Sequence, residues 1–363
     1  MNPRLLAEDY HLPGHFGGWY PGPIFPTITR RFSHAEVDDP MTLFYDARGN
    51  IYGVASPALL RSRGIAVPDS AALAASTRQA WVASAIASEC GWGTSPRPAQ
   101  AKAYRCDGLL VGPFQALPPY DLLIINTDGS LAERSGNGLT IFAQALTDAG
   151  LMTGACELRV HHDKPDAPST VATWVEPAVH QQVAGFWLTL GQPAFGPQAV
   201  GAVGVASNEP AHVSALAAIN PQWARSEFVR IGNPHCVTLV EHASALPDNR
   251  QMHQPGLFAP LKAIAFAPPA GDGRPCAAGI NLQWAARDSA NRVIARVFER
   301  GEGPTASSGT SASAVACAAW RAGWVEAGEV AVVMPGGTAP VRLHAQAETL
   351  LSVSLFGAAT LQG

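Results

Sequence analysis

From Met41 onward the chain is built of short apolar runs separated by turn residues. Thr42-Leu43-Phe44-Tyr45 and Ile51-Tyr52-Gly53-Val54 read as strands on either side of the turn Arg48-Gly49-Asn50. A helix is expected across Gln79 to Ser88, and strands at Gly108–Val111 and Leu122–Ile125. Asn126-Thr127-Asp128-Gly129-Ser130 carries turn chemistry. After Gly138 the apolar positions change to a helical period, Leu139, Phe142, Ala143 and Leu146, and stop at Gly150. Short strands with Pro and Gly turns are expected from about 157 to 200. Phe228–Ile231 is a strand running into Gly232-Asn233-Pro234-His235 and on through Cys236 to Val240. Asn291–Phe298 predicts another strand, followed by a Gly-rich loop from Gly301 to Gly309 and a helix of small residues from Ser311 to about Gly323. Strands at Val330–Met334 and Leu350–Phe356 flank the turn Pro335-Gly336-Gly337. Leu12 to Phe25 is too rich in Gly and Pro for a helix, so residues 1 to 40 read as an extension, either an arm or an irregular surface wrap.

One unit occurs twice: a strand, a Gly-rich loop, then a helix opening with Ser-Gly. It spans Asn126 to Phe142 and again Glu299 to Ala316, about half the chain apart. Two structurally similar halves follow from that spacing. The expected division is an N-terminal half over 41–190, to which 351–363 returns, and a C-terminal half over 191–350.

Composition narrows the class. The chain has 363 residues, 47% of them hydrophobic, enough for about two domains. The net charge of -4 gives no electrostatic reason to expect nucleic acid or an anionic membrane as partner. No apolar run approaches the roughly 18 residues of a membrane span, and Met1-Asn2-Pro3-Arg4 opens no secretory signal. The six cysteines are scattered and form no CxxC pair, which suits a reduced, cytoplasmic protein. Lysine is confined to Lys102, Lys164 and Lys262, none in a setting that suggests a Schiff base. His161-His162-Asp163 superficially suggests a metal site, but adjacent strand residues point to opposite faces, and the group is assigned to the surface with no metal expected.

A Gly-rich loop opening a helix presents unpaired N–H groups and the positive end of the helix dipole, which together favour an anion. Ser135-Gly136-Asn137-Gly138 and Ser308-Gly309-Thr310 both fit. Facing each other, they would clamp one carboxylate and aim Ser135 and Ser308 at opposite faces of the adjacent carbon. The plainer reading makes each serine an N-cap and nothing more.

These residues also resemble a known family. Asn126-x-Asp128-Gly129-Ser130-x-Ala132-Glu133-x-Ser135-Gly136-Asn137-Gly138 is similar to the first active-site motif of the diaminopimelate epimerases, and Glu299-Arg300-Gly301-x-Gly303-x-Thr305-x-x-Ser308-Gly309-Thr310 to the second. Arg48-Gly49-Asn50, Gly232-Asn233-Pro234-His235-Cys236-Val237, Gly279-Ile280-Asn281 and Pro335-Gly336-Gly337 resemble shorter family motifs in the same order. The resemblance implies an α/β (α+β) fold of two similar halves, each a sheet wrapped around a central helix, with the site in the cleft. It also implies a homodimer and an enzyme without cofactor, in which one cysteine removes an α-proton and a second returns one from the other face.

Here both cysteine positions are serine, and a hydroxyl without a partner base is a poor proton acceptor. Either the chain is a Cys→Ser form of an epimerase, or it has diverged. Ser311, Ser313 and Pro304 stand where the family usually has glycine, cysteine and glutamate, and Gly108 replaces a family glutamine, which favours divergence. The expected enzyme is an isomerase acting on an amino acid or related carboxylate. A lyase, dehydratase or cyclase on the same scaffold, and a non-catalytic binding protein, are the alternatives. By the resemblance, Asn50, Asn126, Gly136, Asn137, Asn233, Asn281, Glu299, Arg300, Gly309 and Thr310 would hold the substrate. Candidate catalytic residues are Ser135, Ser308, His235 and Asp128; His235 has the most suitable unperturbed pKa.

Overall fold

Several strands of this molecule have alternating residues buried on both faces. In the computed structural model, which describes residues 41–93, 96–99, 101–164, 168–206 and 210–362, Leu110, Leu122 and Ile124 point into one apolar cluster while Leu109, Leu123 and Ile125 point into another. The period of two along a strand makes this division, and burial on both faces explains why these segments read as continuous apolar runs. The extension read over residues 1–40 lies outside the described residues.

The order of elements repeats. Strands Leu43–Ala47, Asn50–Ala55, Gly108–Val111 and Tyr120–Asn126 precede the first central helix, Gly136–Asp148, and strands Cys156–Val160, Val171–His180 and Val183–Gly191 follow it. In the second half, Arg225–Ile231, Asn233–Val240, Asn281–Ser289 and Arg292–Glu299 precede the second central helix, Gly309–Arg321, and Gly328–Met334, Gly337–Gln346 and Thr349–Gly357 follow it. Neighbouring strands pair antiparallel, parallel, antiparallel, parallel, antiparallel, antiparallel in the first half. The second half repeats that sequence of pairings. Thr349–Gly357 pairs with Val183–Gly191 and joins the two ladders, and Thr360–Leu361 lies against Tyr45–Asp46. The fold is therefore α/β (α+β), two similar halves, each a sheet around a central helix.

The first helix buries Leu139, Ile141, Phe142 and Leu146, whereas the second buries mainly small or hydroxylated residues. The second is buried from Gly309 through Ala319. Its interior hydroxyls return to the backbone: Ser313 donates to the Gly309 carbonyl at 2.9 Å, as Thr140 donates to Gly136 at 2.8 Å in the first. Outer helices cover the opposite sheet faces, Val82–Cys90 over the first half and Pro255–Ala265 over the second. The helix expected from Gln79 begins at Val82, with a 3-10 turn at Arg78–Ala80 before it. Among the described residues no helix is long and apolar enough to cross a membrane.

His161 and His162 are buried, not on the surface as the sequence led us to expect. His161 Nε2 lies 3.2 Å from Asp121, which also holds Arg159, and His162 Nε2 is 3.0 Å from the Pro168 carbonyl.

Candidate active site

The two central helices meet at their N-terminal ends. Ser135 caps the first and accepts a hydrogen bond from the Gly138 N–H at 3.1 Å; Ser308 caps the second and accepts from Ser311 N–H at 3.4 Å. Each cap satisfies one N–H of its first turn, and the N–H groups of Gly136, Asn137, Gly309 and Thr310 have no partner within their own helix. The close approach depends on glycine. A Cβ on Gly309 would stand 2.4 Å from Leu355 Cδ2 and 3.7 Å from Gly136 Cα, and one on Gly136 would stand 2.9 Å from the same leucine. Two positive helix ends thus open side by side into a cleft of about 610 Å³.

Strand ends and the loops beside them supply the rest of the lining. Asn50 and Asn233 each open the second strand of their half, and Asn126 and Glu299 each end the fourth. Ser135 follows Asn126 by nine positions, and Ser308 follows Glu299 by nine, so the duplication extends to the site. Asn50 Nδ2 donates to Asp107 at 2.9 Å, and Asn281 Oδ1 accepts from the Arg300 N–H at 2.8 Å. The Arg300 guanidinium donates to the Ala278 carbonyl at 3.0 Å. Gly279, shortly before Asn281, has φ +74, and a Cβ there would stand 2.6 Å from the Ala265 carbonyl oxygen and 2.9 Å from Arg300 Cδ, so the backbone beneath the arginine leaves no room for a side chain. The Pro335-Gly336-Gly337 turn braces the loop before Ser308: Gly336 N–H donates to the Ala306 carbonyl at 2.7 Å.

The two serines have different partners. Ser308 Oγ donates to Glu299 Oε1 at 2.7 Å. Burial, and next the nearby Glu302, push the Glu299 carboxyl up to about 7, while the hydrogen bond from Ser308 works in the opposite direction. Ser135 instead lies beside the Tyr52 hydroxyl. Burial pushes the Tyr52 phenol well above its usual range, so it is neutral and a proton donor. One helix start therefore carries a carboxyl poised near neutral pH, the other a protonated phenol.

Of the residues singled out in the sequence, Asn50, Asn126, Ser135, Gly136, Asn137, Asn233, Asn281, Glu299, Arg300, Ser308, Gly309 and Thr310 all line the cleft. His235 and Asp128 do not. His235 is fully buried, with Nδ1 3.0 Å from Gln283 Nε2, and Gln283 in turn donates to Ser311 at 3.0 Å. Burial, with the Arg300 charge next, lowers its pKa to about 3, so the property that recommended it as a proton carrier is lost. Asp128 is exposed and spends its Oδ1 on the Ser130 N–H and hydroxyl, which closes the turn after Asn126. Tyr52, Arg134, Asp107 and Glu302 also line the cleft and were not singled out. Arg134 donates to the Leu190 and Ala172 carbonyls at 2.7 and 2.8 Å, anchoring the loop that presents Ser135.

Residues 228–361 match the family model described as diaminopimelate epimerase. Over 236 residues the chain is 30% identical to the diaminopimelate epimerase of Rhodococcus opacus, spanning 64% of this chain and 68% of the relative. It is 28% identical over 233 residues to diaminopimelate epimerase 2 of Nostoc sp., spanning 64% of this chain and 72% of the relative. Among solved structures, a phenazine biosynthesis protein of the PhzF family from Bacillus anthracis superposes with a TM-score of 0.50 at 14% identity, over 89% of this chain and 96% of that one. A probable proline racemase from Agrobacterium radiobacter superposes with a TM-score of 0.50 at 13% identity, over 89% and 91%. At such identities the structural likeness carries the fold alone.

Proposed function

Because the chain belongs to the diaminopimelate epimerase-like superfamily, we propose that it is a cofactor-independent isomerase that moves a proton at the carbon beside a substrate carboxylate. The substrate is an amino acid or a related carboxylate. The observation that carries this reading is the meeting of the two helix starts, each with a serine at its cap and an ionisable partner behind it.

The carboxylate sits against the N–H groups of Gly136, Asn137, Gly309 and Thr310. Removing the α-proton pushes negative charge onto the carboxylate oxygens, and donors already aimed at them stabilise that charge more than they stabilise the ground state. A serine hydroxyl is too weak a base for this step, but Glu299, with a pKa of about 7, is matched to it. Glu299 takes the proton, with Ser308 orienting its carboxylate or relaying the proton through Oγ. On the other side Tyr52, beside Ser135, donates a proton to the carbanion. Asn50, Asn126, Asn233, Asn281 and Arg300 hold the rest of the substrate.

A racemase needs the two faces to exchange roles each turnover, as a pair of like acids does. A carboxyl near neutrality opposite a phenol held far above it suits a one-way shift of a proton or double bond instead. That asymmetry favours a non-racemising isomerase as the second reading, and the same pair would serve an elimination or a cyclisation. Incubation in heavy water with a panel of amino acids and unsaturated carboxylates, read by proton NMR and chiral chromatography, separates the readings. Solvent deuterium at the α-carbon with inversion supports epimerisation; deuterium elsewhere with a moved double bond supports the one-way shift. No exchange with any member counts against both and favours a binding protein. Ser135→Cys with Ser308→Cys, assayed on diaminopimelate, tests whether the chain is an epimerase lacking only its thiols.

A further inference from the structure

Cys90 and Cys106, two cysteines that the proposed proton chemistry does not use, lie together at the edge of the cleft. Cys90 is the last residue of the helix Val82–Cys90, and Cys106 stands just before the strand Gly108–Val111. The two segments are tied where the cysteines meet, by the Arg105 N–H donating to the Cys90 carbonyl at 3.0 Å. The Cys90 and Cys106 side chains are close enough to influence each other directly. Both are buried in the apolar cluster beneath the outer helices, but Cys106 also forms part of the cleft wall, whereas Cys90 is behind it.

The surroundings of Cys106 favour its thiolate. The Cys90 thiol first, and then the backbone amides of Gly108 and Gly53, hold its pKa below the ordinary value against the effect of burial. Cys90 is pushed the other way, above all by Cys106. Cys106 is reached from the cleft and Cys90 lies behind it, so one sulfur is placed to meet a reagent first and its neighbour to follow, the arrangement that site-selective oxidation requires.

We propose that Cys106 and Cys90 form a reversible oxidation site in the cleft wall, with Cys106 the sulfur attacked first and Cys90 the one that resolves it into a disulfide. The oxidant is a small hydroperoxide entering through the cleft. The Cys106 thiolate attacks one peroxide oxygen, the O–O bond breaks, and Cys106 becomes a sulfenic acid as the other oxygen leaves as hydroxide or alkoxide. The Cys90 sulfur then attacks Cys106, the S–O bond breaks, and water departs with the Cys90 proton. Two thiols are oxidised by two electrons in all and one hydroperoxide is reduced. In a reducing compartment such a bridge is transient and is reversed by exchange with a dithiol. Cys106 is next to Asp107, whose carboxylate holds both Asn50 Nδ2 and the Ile51 N–H at 2.9 Å, so a bridge there pulls on the cleft wall directly.

The test uses the full chain and hydrogen peroxide. Folded protein is oxidised, its remaining thiols are alkylated after unfolding, and peptides are mapped by mass spectrometry with and without prior dithiothreitol. The expected result is a Cys90–Cys106 linked peptide, four of the six cysteines still alkylated, and full reversal by dithiothreitol. Cys90→Ala should lose the bridge and leave Cys106 trapped by dimedone as its sulfenic acid; Cys106→Ser should leave Cys90 unoxidised. Alkylation of all six cysteines after peroxide, a bridge between other cysteines, or dimedone on Cys90 in place of Cys106 would overturn the proposal. Each readout is independent of turnover, so the proposal stands or falls apart from the assigned reaction.

Discussion

The two helix starts share a backbone and differ in chemistry. Each has a serine cap, an adjacent glycine in contact with the other half, and a polar strand end nine residues earlier. At the first the strand end is Asn126, and the serine lies beside a tyrosine; at the second it is Glu299, which accepts directly from Ser308. In the proposed reaction the duplicated geometry makes the anion clamp, and that part needs both halves alike. The halves have diverged at the side chains beside the serines, as a one-way proton shift would require. The same contrast runs one layer deeper: Tyr52 lies two residues past Asn50 and reaches the cleft, while His235, two residues past Asn233, is closed off beneath it.

The largest expected effect comes from removing the base. Glu299→Gln keeps the shape and the bond to Ser308 but cannot take a proton, and should lower deuterium exchange by about 10³-fold, within the range for a positioned general base. Tyr52→Phe removes the acid on the opposite side and should cost about 10²-fold in turnover while leaving exchange at the abstracted position closer to wild type. An equal loss of both from each variant would mean that the two sides act as one unit, against the asymmetry between them.

Stability should show the opposite character, near symmetry with a small bias. Gly309→Ala drives a methyl to 2.4 Å from Leu355, Gly136→Ala to 2.9 Å, so both should lower thermal stability by about 1–3 kcal/mol, with Gly309→Ala the worse. Leu355→Ala should relieve part of either loss; no relief would place the strain elsewhere. Smaller again, Ser135→Ala and Ser308→Ala should each cost about 1 kcal/mol as lost caps, read by denaturant unfolding. Only Ser308→Ala should also move the pH dependence. Its hydrogen bond holds the Glu299 pKa down, so its removal shifts the rising limb to higher pH.

Much of this was legible in the sequence because it is encoded in local turn chemistry. Ser-Gly after a strand and a Gly-rich loop marks a helix start whatever the tertiary context, and the doubled motif implied the doubled fold. Tyr52 was not legible: on a strand it is one aromatic among alternating apolar positions, and its reach to Ser135 depends on how the sheet curls around the helix. Its place after Asn50, matching His235 after Asn233, was the available signal. His235 misleads for the complementary reason. Its ordinary pKa suggested a proton carrier, but burial and the Arg300 charge remove its titration from the physiological range. Cys90 and Cys106 looked scattered because their pairing is made by a helix end meeting a strand start.

The pH dependence of solvent deuterium incorporation tests the central claim most directly. Glu299 acts as a base only when ionised, and its pKa is raised to about 7, so exchange should rise with pH through a limb centred near 7. Below that limb the protonated carboxyl is inert, above it the rate is level, and Glu299→Gln abolishes the limb. A rate already level from pH 5 to 8 in the wild type, or a limb that survives in Glu299→Gln, would contradict the assignment of Glu299 as the base.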